Sequence, residues 1–281
     1  MSVDKKALRL YLIITFALSL VIETVWIVYG NQAAGISALL MFMPFVSAMV
    51  VSIKFYKKQN ILGFSSSKFI YNGLSFLIPL FYIALSNGLF WLFVKGSYTG
   101  NLSILIEYAR LYSGKELPEN MAVIISLIIM LPSSFVTAFG EEIGWRGYMY
   151  PAMQKLWGWK KALIVSGAVW ALWHLPLVIS GVYLPGASIL FAVPVFIIEV
   201  FALTVIISWV RIKSNSVWPA VILHATHNYF DQAVFQSLTK SENSAYFVGE
   251  TGVITVVITV LIATVILVKK RGTFINNADL L

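Results

Sequence analysis

The chain is patterned as long apolar runs separated by short polar interruptions. About 20 apolar residues suffice to cross a bilayer core as a helix. By that measure the runs near 8–29, 33–53, 70–94, 121–149, 161–182, 188–210, 216–235 and 250–268 give eight candidate spans. A lone segment in lipid must satisfy its own backbone hydrogen bonds, so such runs read as helices. The first run is too long for the apolar region of a signal peptide and lacks a small-residue cleavage site, so it is expected to be a retained span. Loops 30–32 and 183–187 leave room only for tight reversals. The longest interruption, roughly 95–120, carries Glu107, Arg110, Lys115, Glu116 and Glu119, and its stretch from Leu102 to Tyr112 has helical spacing suited to a membrane surface. No soluble domain, low-complexity tract or internal repeat interrupts the pattern. The expectation is an all-α polytopic protein forming one membrane domain over 1–281.

Composition agrees. Of the 281 residues 59% are hydrophobic and 11% charged, against about 25% charged in a soluble domain. The absence of cysteine excludes a thiol nucleophile, a thiolate metal site and any disulfide. The charges alternate along the chain. One set of interruptions holds Lys5, Lys6 and Arg9; Lys54, Lys57, Lys58 and Lys68; Arg146, Lys155, Lys160 and Lys161; Arg211 and Lys213; and Lys269, Lys270 and Arg271. The other set holds only Lys95, Arg110, Lys115 and Lys240. The positive-inside rule then places both termini in the cytoplasm, which eight spans allow. The net charge of +8 reflects this orientation and contact with anionic lipid, with no call for nucleic acid. A bacterial plasma membrane is the expected location.

Against this background the ionisable residues inside the spans stand out. Each costs roughly 2.5–3.5 kcal/mol on insertion scales, so such residues tend to line cavities and act there. Glu141 and Glu142 close the fourth run within Gly140-Glu141-Glu142-Ile143-Gly144-Trp145-Arg146, and all three histidines, His174, His224 and His227, lie in later runs. Residues four apart share a helix face. Glu142 with Arg146, Glu141 with Trp145, Trp170 with His174, and His224 with Asn228 are so paired. Adjacent helix residues diverge by about 100°, so the two glutamates cannot serve one spot. One faces a cavity and the other takes Arg146. Glu141 is the natural choice for the cavity, although spacing alone also admits the reverse. Measured from the run ends at about 1.5 Å per residue, Glu141, His174 and His224 fall in one slab, nearer the cytoplasmic side. Pro132, Gly140 and Pro176 are candidate bends that admit water.

Burial suits a glutamate to deprotonate water as a general base. A histidine beside it holds that water or protonates a leaving amine, and an asparagine amide with a second histidine can donate to an oxyanion. This set suffices for amide hydrolysis. Glu141, His174 and His224 are equally a sufficient ligand set for catalytic zinc. Spacing leaves both readings open. His-Glu-x-x-His and Gly-x-Ser-x-Gly patterns are absent, and with them two other hydrolase designs.

The ordered motifs Glu141-Glu142-x-x-x-Arg146, Trp170-x-x-x-His174 and His224-x-x-x-Asn228 resemble those of the CPBP family of intramembrane proteases. That family holds the CAAX prenyl endopeptidases and the bacteriocin-processing and immunity (Abi) proteins. The motifs cover about 90 residues of the chain; the flanking helices match in number and hydrophobicity alone. Trp170 stands where the family usually has Phe, and as another aromatic it is expected to keep the packing role. The resemblance implies that Glu141 activates water, that His174 and His224 assist, that Asn228 helps form the oxyanion site, and that Glu142 and Arg146 support them. The implied partners are the lipid bilayer and a peptide or membrane-protein substrate: a lipidated C-terminal motif, a leader peptide or a hydrophobic signalling peptide. A metal-free mechanism is preferred here, with zinc as the alternative.

Other residues receive plainer readings. Glu23 is expected to be an interfacial anchor, Glu199 a structural hydrogen-bonding partner, Asp231 an orienting group, and His227 a satisfied structural histidine. Trp26, Tyr29, Trp157, Trp159 and Trp218 read as an interfacial belt, and the basic clusters as orientation signals. A catalytically silent scaffold or immunity protein and a proton-coupled transporter are the competing functions. Transporters commonly show paired broken-helix repeats, which this sequence lacks.

Overall fold

In the computed structural model, residues 3–30, 35–57, 60–100, 102–184, 186–240, 243–269 and 271–276 are described. Lys58 and Lys270 of the charge pattern lie outside them. The described residues form no β-sheet, only an isolated antiparallel bridge between Tyr98 and Thr239. The fold is all-helical, and six helices are long and apolar enough to cross a membrane.

These six are α1 (Val3–Tyr29), α2 (Ser37–Tyr56), α3 (Phe69–Phe93), α5 (Glu119–Trp157), α6 (Trp159–Ile179) and α7 (Ile189–Ser214). Between α3 and α5 lies the short α4 (Ser103–Ser113), in the stretch where the sequence has helical spacing. The seventh apolar run is α8 (Trp218–Asn228), continued by a π-helical segment, Tyr229–Phe235, and a last turn, Gln236–Leu238. The eighth is α9 (Val253–Lys269), shorter than the six. A final turn of helix, α10, follows at Arg271–Asn276. Local chemistry sets several of the ends. α4 stops at Gly114 and α7 at Asn215, both left-handed, the conformation that closes a helix and that Gly and Asn adopt most readily.

α5 departs most from expectation. The apolar run ends near 149, yet the helix continues to Trp157 through a fully buried π-helical segment, Ile143–Met149. The polar residues of this stretch face the protein interior, so apolarity stops being a guide to helix length. α8 packs against α3, α5 and α7, α6 packs against α7, and α9 against α7. The ionisable residues of α5, α6 and α8 thereby meet at the centre of the bundle, while Leu20, Phe69, Ile128 and Leu190 point outward.

Candidate active site

The Glu141–Glu142 pair sits where α5 changes from α- to π-geometry. A π-segment inserts a residue into the turn and re-aims the side chains around it. Two glycines seat this region against α2. A Cβ on Gly140 would lie 2.7 Å from the Met41 carbonyl oxygen, and one on Gly144 would lie 2.3 Å from Pro44 Cβ. Gly140 is thus a contact glycine that lets two backbones approach, a role the bend reading did not include.

The structure divides the two glutamates. Glu142 Oε1 accepts from Arg146 Nη1 at 2.8 Å and from His224 Nδ1 at 2.9 Å. Glu141 faces a cavity of about 250 Å³ that His174, His224 and Asn228 also line. Its Oε2 accepts from the indole N–H groups of Trp170 at 3.0 Å and Trp145 at 3.2 Å. Its Oε1 lies 3.9 Å from His224 Nε2. That gap exceeds a hydrogen bond, and a water seated beside it can bond to both groups.

Each histidine is oriented through one ring nitrogen. A carboxylate only accepts, so His224 donates from Nδ1 to Glu142 and turns Nε2 toward Glu141. A backbone carbonyl likewise only accepts, so the 3.2 Å contact to Trp170 O makes His174 Nδ1 the donor and leaves Nε2 for a water or substrate atom. Arg146 is itself enclosed. Nη2 donates to Thr204 at 3.4 Å, the guanidinium carbon stands 4.1 Å from the centre of the Trp170 ring, and Arg211 Nε donates to the Arg146 carbonyl at 3.0 Å. Trp170 therefore does more than pack: it donates to Glu141 and covers Arg146.

Several plainer readings change. Glu23 is buried at 4% exposure and is no surface anchor. Trp26 lines the cavity and so leaves the belt. Arg211 is fully buried rather than an orientation signal at a helix end. Glu199 is bonded by Thr259 of α9, a structural partner as expected, and it also reaches the cavity wall. His227 meets the Tyr82 hydroxyl through Nδ1 at 2.6 Å, but its Nε2 is buried without a hydrogen-bond partner. The cavity is not confined to the lysine-rich end. Tyr108, Tyr183 and Glu250, from the opposite set of interruptions, line it as well.

Tyr183, Thr204 and Glu250 escaped the sequence reading, as did the buried role of Arg211. Tyr183 stacks on His174 with ring centres 5.6 Å apart and donates to Glu250 at 2.7 Å. Burial and the Glu250 carboxylate push its phenol well above the usual tyrosine range, so it stays a donor. The Trp in place of Phe at 170 was a signal for the added hydrogen bond.

Zinc held by Glu141, His174 and His224 does not fit this arrangement. The three residues do not bring one donor atom each within 4.8 Å of one another, as a different trio does.

A helical membrane protein with a buried carboxylate–histidine cavity is the class this fold and site define. Residues 123–230 match the family model described as type II CAAX prenyl endopeptidase Rce1-like, a span that includes every motif residue from Glu141 to Asn228. CAAX prenyl protease 2 of Methanococcus maripaludis is 30% identical over 105 residues, 36% of this chain and 36% of that protein. The aligned part thus spans about a third of the length of this relative. Over this segment the chain is similar to the CAAX prenyl endopeptidases of the CPBP family that its motifs resemble.

Proposed function

We propose that the chain is an intramembrane endopeptidase that hydrolyses a peptide bond with water activated by Glu141. The observation that carries this reading is the asymmetric holding of Glu141. Two indoles fix one oxygen, and the other faces His224 across a gap beside which a water fits. Glu141 takes a proton from that water as its oxygen bonds to the carbonyl carbon. Asn228 and His174 line the same cavity, where the amide donates to the developing oxyanion and the imidazole holds the water or substrate. Glu141 then returns the proton to the leaving nitrogen as the C–N bond breaks. Glu142 keeps the His224 tautomer fixed, much as an aspartate does in a hydrolytic triad, and Arg146 balances its charge. No step needs a metal.

The substrate class follows from the setting and the family. The site lies inside an apolar bundle, which favours lipidated C-terminal motifs, leader peptides or hydrophobic signalling peptides. The charge asymmetry supports eight spans, counting α8 with its extension and α9, with both termini cytoplasmic. The short loops and single membrane domain support a bacterial plasma membrane. The test is a comparison of peptide and protein termini from cells expressing the wild type or Glu141→Gln at matched membrane abundance. Termini found only with the wild type are expected. Identical termini beside a phenotype shared by both versions would replace the protease with a scaffold.

A further inference from the structure

Past the Glu141 cluster, His227 and Glu250 line the cavity, and Asp231 is buried beside them. His227 is one turn beyond His224 on α8, and Asp231 follows four residues later in the π-helical extension. The loop ahead of α9 folds back to bring Glu250 onto them. One donor atom from each of His227, Asp231 and Glu250 lies within 4.8 Å of the other two, and all three residues are buried. The loop makes this approach through Gly249 at φ +82, where a Cβ would stand 3.8 Å from Asp231 Oδ2.

The histidine is aimed. Nδ1 is engaged by the Tyr82 hydroxyl at 2.6 Å, while Nε2 is buried, without a hydrogen-bond partner, and 3.9 Å from Glu250 Oε1. In the tautomer that a cation selects, Nδ1–H donates to Tyr82 and Nε2 turns its lone pair toward the two carboxylates. Metal-ligating histidines are commonly held in this way by their other nitrogen. Two buried carboxylates side by side repel each other; Tyr183 and Gln232 donate to Glu250, and a divalent cation between the acids removes the repulsion that these bonds leave. Two ligands about 2.1 Å from one tetrahedral zinc ion stand roughly 3.4 Å apart. The His227–Glu250 pair, 3.9 Å apart, and the trio, within 4.8 Å, draw in to that separation by small side-chain rotations. Imidazole with carboxylate oxygens suits zinc.

We propose that His227, Asp231 and Glu250 form a zinc site separate from Glu141, clamping the α8 extension to the loop before α9. Its effect reaches the proposed catalytic groups indirectly. Glu250 holds the Tyr183 hydroxyl, and Tyr183 stacks on His174. The ion pins that wall and takes no part in attacking the peptide bond. This assignment is independent of whether Glu141 cuts peptides.

The test uses the full chain purified in detergent, stripped with a chelator and titrated with Zn²⁺. About one zinc per chain is expected, with a higher thermal midpoint in its presence. Glu141→Gln keeps that ion, while His227→Gln and Asp231→Asn each weaken binding by more than about tenfold. X-ray absorption at the zinc edge of the wild type shows one imidazole and oxygen ligands, a readout that does not depend on any variant folding. Absence of stoichiometric zinc, a spectrum with two imidazoles, or loss of the ion in Glu141→Gln but not in Asp231→Asn would overturn the proposal.

Discussion

Replacing Trp170 by Phe isolates one hydrogen bond at the proposed base. The change removes the indole N–H that reaches Glu141 Oε2 at 3.0 Å and keeps an aromatic ring beside His224 and Arg146. A hydrogen bond to a charged group contributes about 1.5–3 kcal/mol. Trp145 still donates to the same oxygen at 3.2 Å, so the lower end applies, about 1.5 kcal/mol. At about 1.4 kcal/mol per decade that is a roughly tenfold fall in turnover. The loss belongs to kcat, because a loosened base misplaces the water without changing how substrate is held; KM is expected to stay within about twofold. The smaller ring also weakens the contact with buried Arg146, part of a desolvated cation–π term of about 2 kcal/mol that appears in stability and not in turnover. The assay is steady-state cleavage, by purified protein, of a substrate found through the terminus comparison, with thermal midpoints measured alongside. Turnover within twofold of wild type at unchanged stability would refute the positioning role of Trp170. It would return that residue to packing alone.

Arg146→Met leaves Glu142 buried without its cation and is expected to cost about 3–5 kcal/mol, read as a lower thermal midpoint and reduced membrane abundance. Gly144→Ala drives a methyl into Pro44 and should cost about 1–3 kcal/mol by overpacking, checked by the same measurements. Thr259→Val removes the hydroxyl that bonds Glu199 and leaves that carboxylate short of a partner, for about 1–3 kcal/mol on unfolding. Because the chain has no cysteine, single cysteines report orientation directly. An impermeant maleimide applied outside intact cells should label Lys115→Cys and spare Lys6→Cys and Lys213→Cys; the reverse pattern would invert the topology.

The parts of the site that obey helix periodicity were legible before any coordinates. Four-residue spacing pairs Glu142 with Arg146 and Glu141 with Trp145, and both pairs are hydrogen-bonded. Spacing did not say which glutamate faces the cavity, because that depends on where α6 and α8 pack. The hydrogen bond from Trp170 to Glu141 crosses between helices and lies outside the reach of periodicity. Arg211 reads as an orientation signal from its place at the end of an apolar run; its burial comes from the chain near Gly63 folding over it. Glu250 belongs to a loop, and only the turn at Gly249 carries it inward. The π-helical segments after Glu142 and Asn228 have no sequence period of their own, so the helices they extend were read as ending too early or as unbroken.

The most direct test of the account is single-turnover cleavage by purified wild type, Glu141→Gln and Glu142→Gln, with substrate binding measured on the same preparations. Activation of water by Glu141 predicts that Glu141→Gln binds substrate as the wild type does and yields no product above the uncatalysed rate, while Glu142→Gln retains slow but measurable cleavage. Product formation by Glu141→Gln at a rate equal to or above that of Glu142→Gln would contradict the assignment of Glu141 as the base.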